Sequence, residues 1–402
     1  MRIAINAVAV DGGGSQTYLL SILKALRAIS SHEFLVVLGA GQGSMLAALP
    51  PGVQAIVCRG VPRQAGLRTV WEQTALPVLL LRWNIDVLYA AFNTAVLLSP
   101  VPVVLLSHNC APFSLEHLAW SPYGHARNKI LRFLGRLSAR VARTVVYVSH
   151  SSARVVAPQM KVPASRIRVI YHGWSPVPDG EGEDGRATWR LPDRYLLSVA
   201  DLYPHKNLEV LMAAFQLLVA KGSYAGDLVI AGARKRSAWK YGGDLEALRD
   251  GLPCRDRIHL IGSIPHPALF AAYRAADLFL FPSLMESFAL PLVESMGFGV
   301  PLIVSDWRLA PGGEQTRINV GPEICADAAE YFNPLDPQSF ANAIERVLTN
   351  PHRRHELVQR GIARARDFSW ERSAVELLRI LEEAATRNKV DASAPPRPGG
   401  LS

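Results

Sequence analysis

The feature that most limits what this chain can become is a pattern that occurs twice. Short, unbroken apolar runs alternate with longer stretches of helical periodicity, first between residues 3 and 148 and again between 195 and 304. Unbroken apolar runs are expected of strands covered by helices on both faces. Strands that alternate with helices imply a parallel, doubly wound sheet. In the first series the strands fall at 3–10, 34–38, 55–57, 87–89, 103–106 and 145–148, and a Gly turn leads from the first strand into a helix at 17–28. In the second they fall at 195–200, 227–231, 258–260, 278–281 and 302–304, with helices at 208–220, 244–249, 267–275 and 290–296.

Between the series, residues 176–190 are rich in Pro, Gly and acids and poor in apolar side chains, which marks a linker. The fold class is therefore α/β, with two Rossmann-like domains at 1–175 and 191–365 facing across a cleft. In such an arrangement the ligand crevice lies at the carboxyl ends of the strands. Residues 339–387 read as helices, with a last one at 366–388 expected to pack back toward the first domain. The Pro- and Gly-rich residues 389–402 read as a disordered tail.

Charge is divided unevenly between the halves. Residues 1–180 hold 17 Lys and Arg against six acids, whereas the remainder holds 26 against 28. A basic half suits phosphates, whether in lipid head groups, a pyrophosphate-linked substrate or nucleic acid, and equally suits a merely solvated face. Nucleic acid is the poorest fit, because no aromatic-interleaved strand or known module accompanies the charge. The longest apolar stretch, 74–81, is far short of the roughly 20 residues of a membrane helix. The opening residues read as a buried strand and not as a secretory signal. Cys58, Cys110, Cys254 and Cys325 lack metal-like spacing and read as free thiols, which suits the cytosol.

The densest chemistry lies at 281–301. A strand ends at Phe281, a turn follows, and a helix begins near Phe288–Leu290. Helix-start amides at Ser287, Phe288, Ala289 and Leu290 make a seat for a diphosphate, aided by the macrodipole. Glu286 stands just before that helix and Glu294 two turns inside it. Carboxylates accept from paired hydroxyls, which suits a sugar for Glu286 and a ribose for Glu294. Lys206 and Asn207 open the helix after the strand 195–200, where a Lys would face the same diphosphate.

These residues resemble a known set. Glu286-x7-Glu294, with Phe288, Pro291 and Gly297-x-Gly299-x-Pro301, is similar to the E-x7-E segment of family 4 glycosyltransferases, group 1 type. Asp256 to Gly262, Tyr273-x3-Asp277 running to Ser283, and Phe368 to Glu371 resemble that family as well. The likeness covers about 170 residues closely and the N-terminal half more loosely. It implies the GT-B fold and hexosyl transfer with retained configuration from a nucleotide-diphosphate sugar (GDP-mannose or a UDP-sugar). The implied acceptor is a hydroxyl of a lipid-linked or polysaccharide precursor, and no cofactor is expected because no Asp-x-Asp metal motif is present. The resemblance implies a front-face route in which the leaving phosphate helps take the acceptor proton.

By the same resemblance His108, after the strand 103–106, matches the family's active-site His, and with Lys206 and Glu286 it forms the expected catalytic set. Gly13 and Gly14 resemble the N-terminal Gly loop, where the backbone can approach a donor phosphate or the acceptor, or simply turn tightly. The pair His172-Gly173 takes the place of the family's Asn-Gly pair near the hinge. Asp201 departs from the family, which carries Arg there; Arg234, Lys235 or Arg236 would substitute, or Lys206 acts alone. Ser149-His150-Ser151 is expected to cap a helix.

Two stretches remain open on the sequence. The helix at 125–143 has Lys129, Arg132, Arg136, Arg140 and Arg143 beside Leu131, Leu134, Leu137 and Val141. It suits an anionic bilayer surface, hence a peripheral place on the inner membrane face, or packing on its own domain with a basic outer side. Residues 311–322 look inserted relative to the family, shaping acceptor choice or forming a surface excursion. The rival functions are a GT-B sugar-nucleotide epimerase or hydrolase, which needs no acceptor, and a non-catalytic scaffold, against which the retained site residues argue.

Overall fold

The computed structural model describes residues 1–10, 13–114, 124–175, 189–234, 238–264, 266–313 and 317–393. They build two parallel sheets. The first contains β1 (Arg2–Asn6), β2 (Glu33–Gly39), β3 (Gln54–Cys58), β4 (Val87–Ala90), β5 (Val103–Ser107), β6 (Thr144–Tyr147) and β7 (Ile167–Val169), in the order β3-β2-β1-β4-β5-β6-β7. The second contains β8 (Tyr195–Val199), β9 (Asp227–Ala231), β10 (Ile258–Gly262), β11 (Leu278–Phe281), β12 (Leu302–Ser305) and β13 (Ala329–Phe332), in the order β10-β9-β8-β11-β12-β13.

Each sheet winds outward from its first strand, then returns to that strand's other side. The winding direction therefore reverses between β1 and β4 and again between β8 and β11, which opens a crevice at the carboxyl ends. The central strands β4, β5, β11 and β12 are buried at every position, as unbroken apolar runs require when helices cover both faces. The edge strands β7 and β13 escaped the sequence reading. Exposed Arg168 interrupts one and half-buried Glu330 the other, so neither is an apolar run.

Three helices differ from expectation, one of them being Trp239–Asp250, which starts well before the expected residue 244. The first helix of the chain begins at Gly13, earlier than residue 17, so Gly13 and Gly14 form its opening turn, with Gly13 at φ 60°. The helix Ala65–Arg82 is only half marked by its apolar stretch. It contains Pro77 and leaves Leu67, Val70, Val78 and Leu81 exposed, which blurs the period.

The C-terminal helix Trp370–Ser393 lies back on Gly13–Ile29. Ala374, Leu377, Leu381 and Ala384 join the core cluster that holds Leu19, Ile22 and Leu26. Gly173 permits this crossing, since a Cβ there would lie 2.2 Å from the Trp370 nitrogen. The expected end at 388 falls inside this helix. The expected tail beyond Ser393 and most of the expected linker, 176–188, lie outside the described residues.

Candidate functional site

A cavity of about 430 Å³ opens where the carboxyl ends of the two sheets face each other. The first sheet supplies Gly13 and Gly14 after β1, His108 after β5 and His172 after β7. The second supplies Asp201 and Lys206 after β8, Gly232 after β9, Ser263 after β10, and Glu286 to Pro291 with Glu294 after β11. Every expected site residue except Asn207 lines this one space.

The charged groups on the second-sheet side hold one another. Lys206 Nζ donates to Glu286 Oε1, and each side chain is only 16% exposed. The Lys206 loop is pinned by the Leu284 amide donating to the His205 carbonyl at 2.8 Å, which sets β8 and β11 loops side by side. Glu294 Oε2 accepts from the buried Tyr273 hydroxyl at 3.0 Å. Burial and the Glu294 carboxylate push that phenol far up, so it stays a donor.

The turn between Glu286 and the helix Leu290–Gly297 is strained and clamped. Ala289, the residue before that helix, sits in the left-handed region at φ 71°. Ser287 donates its hydroxyl to Cys110 Sγ and accepts from the Cys110 amide, both at 3.1 Å. Its carbonyl accepts from Ser149 Oγ at 2.7 Å. Burial pushes the Cys110 thiol up to about 12, so it remains protonated beside this turn. In the first turn Pro291 has no amide hydrogen to give, and the Leu292 amide donates to the Ala289 carbonyl at 3.1 Å.

The first-sheet side is aromatic and neutral. His108 and His172 stack with ring centres 5.3 Å apart, and Tyr18, Phe92, Phe288 and Trp370 surround them. Burial lowers His108 to about 4, and burial with the neighbouring His108 holds His172 well below the ordinary imidazole value. Both rings are therefore neutral at pH 7, each offering one donor and one acceptor nitrogen.

Comparisons with known proteins match this layout. The family described as "Glycosyltransferase Family 4" matches residues 12–176, and "Glycosyl transferases group 1" matches 183–364. The chain belongs to the family 4, group 1 glycosyltransferases. Among its relatives is the O-antigen chain mannosyltransferase B of Escherichia coli, 28% identical over 46% of this chain and 44% of that one. The O-antigen chain mannosyltransferase RfbU of Salmonella typhimurium is 24% identical over 86% and 90%. A D-inositol 3-phosphate glycosyltransferase of Thermobifida fusca is 30% identical over 71% and 64%. The chain spans less than half the length of the first curated relatives it matches. In fold it is similar to HepE of Anabaena, solved with UDP and glucose, at a TM-score of 0.72 and 18% identity over 95% of this chain and all of that one. The glycosyltransferase WaaG gives 0.72 at 15% identity, over 94% and 99%.

Within this family layout several expectations need correction. Asn207 does not line the cavity. It is buried in the left-handed region, and its amide donates to the Pro282 and Pro334 carbonyls at 3.2 and 2.8 Å. It ties three loops together instead. Asp201, where the family carries Arg, accepts from the Ala233 amide at 3.0 Å. Arg234 does not replace that Arg: it points to Glu246 at 3.0 Å and is absent from the lining. Lys235 and Arg236 lie outside the described residues.

The basic helix, Gly124–Val141, uses part of its stripe inward. Arg132 donates to the Pro112 carbonyl and Arg136 to the Gln159 carbonyl, within their own domain. Among its described residues the exposed large apolar side chains are Ile130, Phe133 and Val141, of which only Val141 belongs to the expected set. No helix among the described residues is long and apolar enough to cross a membrane.

The 311–322 stretch turns out to be part of an interdomain strap, apart from residues 314–316, which lie outside the described residues. Ile318 packs into a core cluster of the first sheet, and the Asn319 carbonyl accepts from Ser151 Oγ at 3.1 Å. Immediately after it, Glu323 accepts from the His150 and Ser151 amides at 2.6 and 2.7 Å and from the Tyr171 hydroxyl at 2.9 Å. Ser149 caps the same helix start, accepting from the Ser152 amide at 3.0 Å. Sequence reasoning found the Ser149 cap, because a cap is local, and missed Glu323, which acts across 172 residues.

Proposed function

We propose that this chain transfers a hexose, with retained anomeric configuration, from a nucleotide-diphosphate sugar to a hydroxyl of a lipid-linked or polysaccharide precursor. The observation that carries the reading is the Lys206–Glu286 pair, set in a cleft between two strand-end surfaces with Glu294 on the following helix. The O-antigen mannosyltransferase relatives favour mannose as the sugar, hence GDP-mannose among the expected donors, and the HepE likeness keeps UDP-sugars in play.

In this reading the donor diphosphate takes over Lys206 from Glu286, which frees the carboxylate to hold sugar hydroxyls. The exchange swaps one anion for another, so the half-buried ammonium is never left unpaired. Glu294 holds the ribose. The bond from the sugar's anomeric carbon to the phosphate oxygen breaks as that carbon bonds the acceptor oxygen on the same face. The acceptor proton passes to the leaving phosphate, whose growing charge Lys206 and the amides near Phe288–Leu290 stabilise. His108 stands beside the reaction centre as a neutral imidazole. Contact with an anionic bilayer through Ile130 and Phe133, flanked by Arg127 and Lys129, is a further part of this reading, and flotation with anionic vesicles at low and high salt tests it.

The decisive test is a thermal-shift panel of UDP-, GDP- and ADP-hexoses. A donor present at about 100 times its Kd should stabilise the fold by about 2.7 kcal/mol. No stabilisation by any of them would overturn the reading. Donor turnover with no acceptor present would favour the epimerase or hydrolase alternative, and the anomeric signal of the product reports retention.

A further inference from the structure

The least explained part of the cavity is His172. Its backbone is fixed on three sides: the Ile170 amide donates to the Tyr147 carbonyl at 2.9 Å, the Tyr171 carbonyl accepts from Ser373 Oγ at 2.6 Å, and Gly173 is wedged against the start of the last helix. Its ring lies 4.5 Å from Tyr18, 4.9 Å from Phe288 and 5.9 Å from Trp370, centre to centre, and it stacks on His108. The residue is 3% exposed, yet it lines the cavity.

Among the described residues, His172 Nε2 is buried with no hydrogen-bond partner, and so is His108 Nδ1. A buried nitrogen left unsatisfied costs about 1–3 kcal/mol. Two of them, on stacked rings at the wall of one cavity, are the sort of exception that asks for a ligand. Hinge geometry alone needs no imidazole here, because the backbone bonds and Gly173 already fix the chain. A packing role needs no ring nitrogen either, because the surrounding contacts are aromatic faces.

The ligand must match neutral rings that offer donor and acceptor nitrogens between apolar walls. A charged phosphate fits poorly there, and the phosphate-seeking Lys206 lies with the second-sheet residues. A sugar fits, with hydroxyls for the nitrogens and C–H faces for the aromatic rings. We propose that His172 is a second sugar-reading residue, whose Nε2 hydrogen-bonds a hydroxyl of the transferred sugar beside the His108 ring. This rests on the sugar-transfer reading above and adds a contact to it. The rigid mounting matters to the role, since a pre-placed partner loses little entropy on binding.

The test compares nucleotide with sugar nucleotide. Wild type, His172→Phe and His172→Gln are titrated calorimetrically with UDP and GDP, and with the UDP-, GDP- and ADP-hexoses of the panel. His172→Phe keeps the aromatic packing and removes both nitrogens; His172→Gln keeps a donor and an acceptor. The expected result is that His172→Phe leaves nucleoside-diphosphate affinity within about twofold and weakens the sugar nucleotide about tenfold. His172→Gln should recover part of that loss. Sugar-nucleotide affinity unchanged in His172→Phe would overturn the proposal. Equal loss of nucleotide and sugar nucleotide would also overturn it, since that is the signature of lost packing. If wild type binds none of the sugar nucleotides, the sugar-transfer reading itself fails and His172 falls with it.

Discussion

The two walls of the cavity solve the problem of buried polarity in opposite ways. On the second-sheet wall Lys206 bonds Glu286, Tyr273 bonds Glu294, and the Ala233 amide bonds Asp201. On the first-sheet wall two neutral imidazoles keep buried nitrogens without partners among the described residues. The difference follows from cost. An unpaired buried charge is too expensive to keep in the ligand-free state, so charged groups hold substitutes that a charged ligand can displace. A neutral ring nitrogen costs far less and can wait for its ligand.

That contrast is most directly broken at Lys206. Lys206→Ala removes the cation and strands Glu286, so kcat with the true donor should fall about 10²- to 10³-fold, the usual loss when one electrostatic stabiliser is deleted. Lys206→Arg should restore only part of it, since a planar guanidinium does not reproduce a point charge. Near-normal turnover of Lys206→Ala would remove the charged wall from the mechanism.

The next test asks whether the walls must be held in register. Glu323 joins them by receiving two amides and a phenol from the first-sheet side. Glu323→Ala leaves that helix start without its anion and loosens the alignment of Lys206 with His108. The expected effect is about a tenfold loss in kcat/KM, equivalent to about 1.4 kcal/mol. Nucleotide affinity should stay close to wild type, because Glu286, Glu294 and Lys206 all belong to one side. Parallel losses in nucleotide affinity and turnover would mean that the strap supports the second-sheet wall by itself.

What the sequence made legible follows the same division. Glu286, Glu294 and Lys206 could be gathered on one wall from the sequence, because Glu286 and Glu294 bracket the helix start after β11 and Lys206 precedes the one after β8. The helical and strand periods placed those ends, and the family resemblance joined them. Asn207 was misplaced because adjacency to Lys206 says nothing about direction. Its left-handed backbone turns the amide onto Pro282 and Pro334, 75 and 127 residues away. His172 was visible only as half of a hinge pair, since its partners Tyr18, His108 and Trp370 gather from remote elements. Glu323 gave no local signal, and 317–319 stood out only as part of the inserted 311–322 stretch, with nothing to say that they reach the first sheet.

The neutral wall makes a prediction in pH. Its imidazoles have depressed folded-state values, so protonation is unfavourable in the fold. The unfolded chain takes up protons as pH drops through about 6.5, the ordinary imidazole value, while folded His108 resists until about 4. The stability they contribute is therefore complete above that ordinary value and is lost as pH falls through this window. Tm should decline between pH 6.5 and 5, and His108→Phe should flatten the decline. A slope unchanged in that variant would show that other groups, His172 or carboxylates, and not this ring, set the acid sensitivity.

The smallest effect concerns the turn that joins the walls. Ala289 holds φ 71° while Ser287 reaches Cys110 and Ser149 across the cleft. A left-handed alanine costs about 1–2 kcal/mol, and glycine at the same place escapes that cost while adding freedom to the unfolded chain. The two effects partly cancel, so Ala289→Gly should raise stability by no more than about 1 kcal/mol in a denaturant titration. Under the proposed reading the alanine has its own use: it narrows the conformations open to the turn at Glu286–Leu290 before a ligand arrives. Ala289→Gly should thus weaken nucleotide binding two- to threefold, a gain in stability set against a loss in pre-organisation. If the variant were destabilised, the strain at Ala289 would not be real, and the seat would owe its shape to the Ser287 clamps alone.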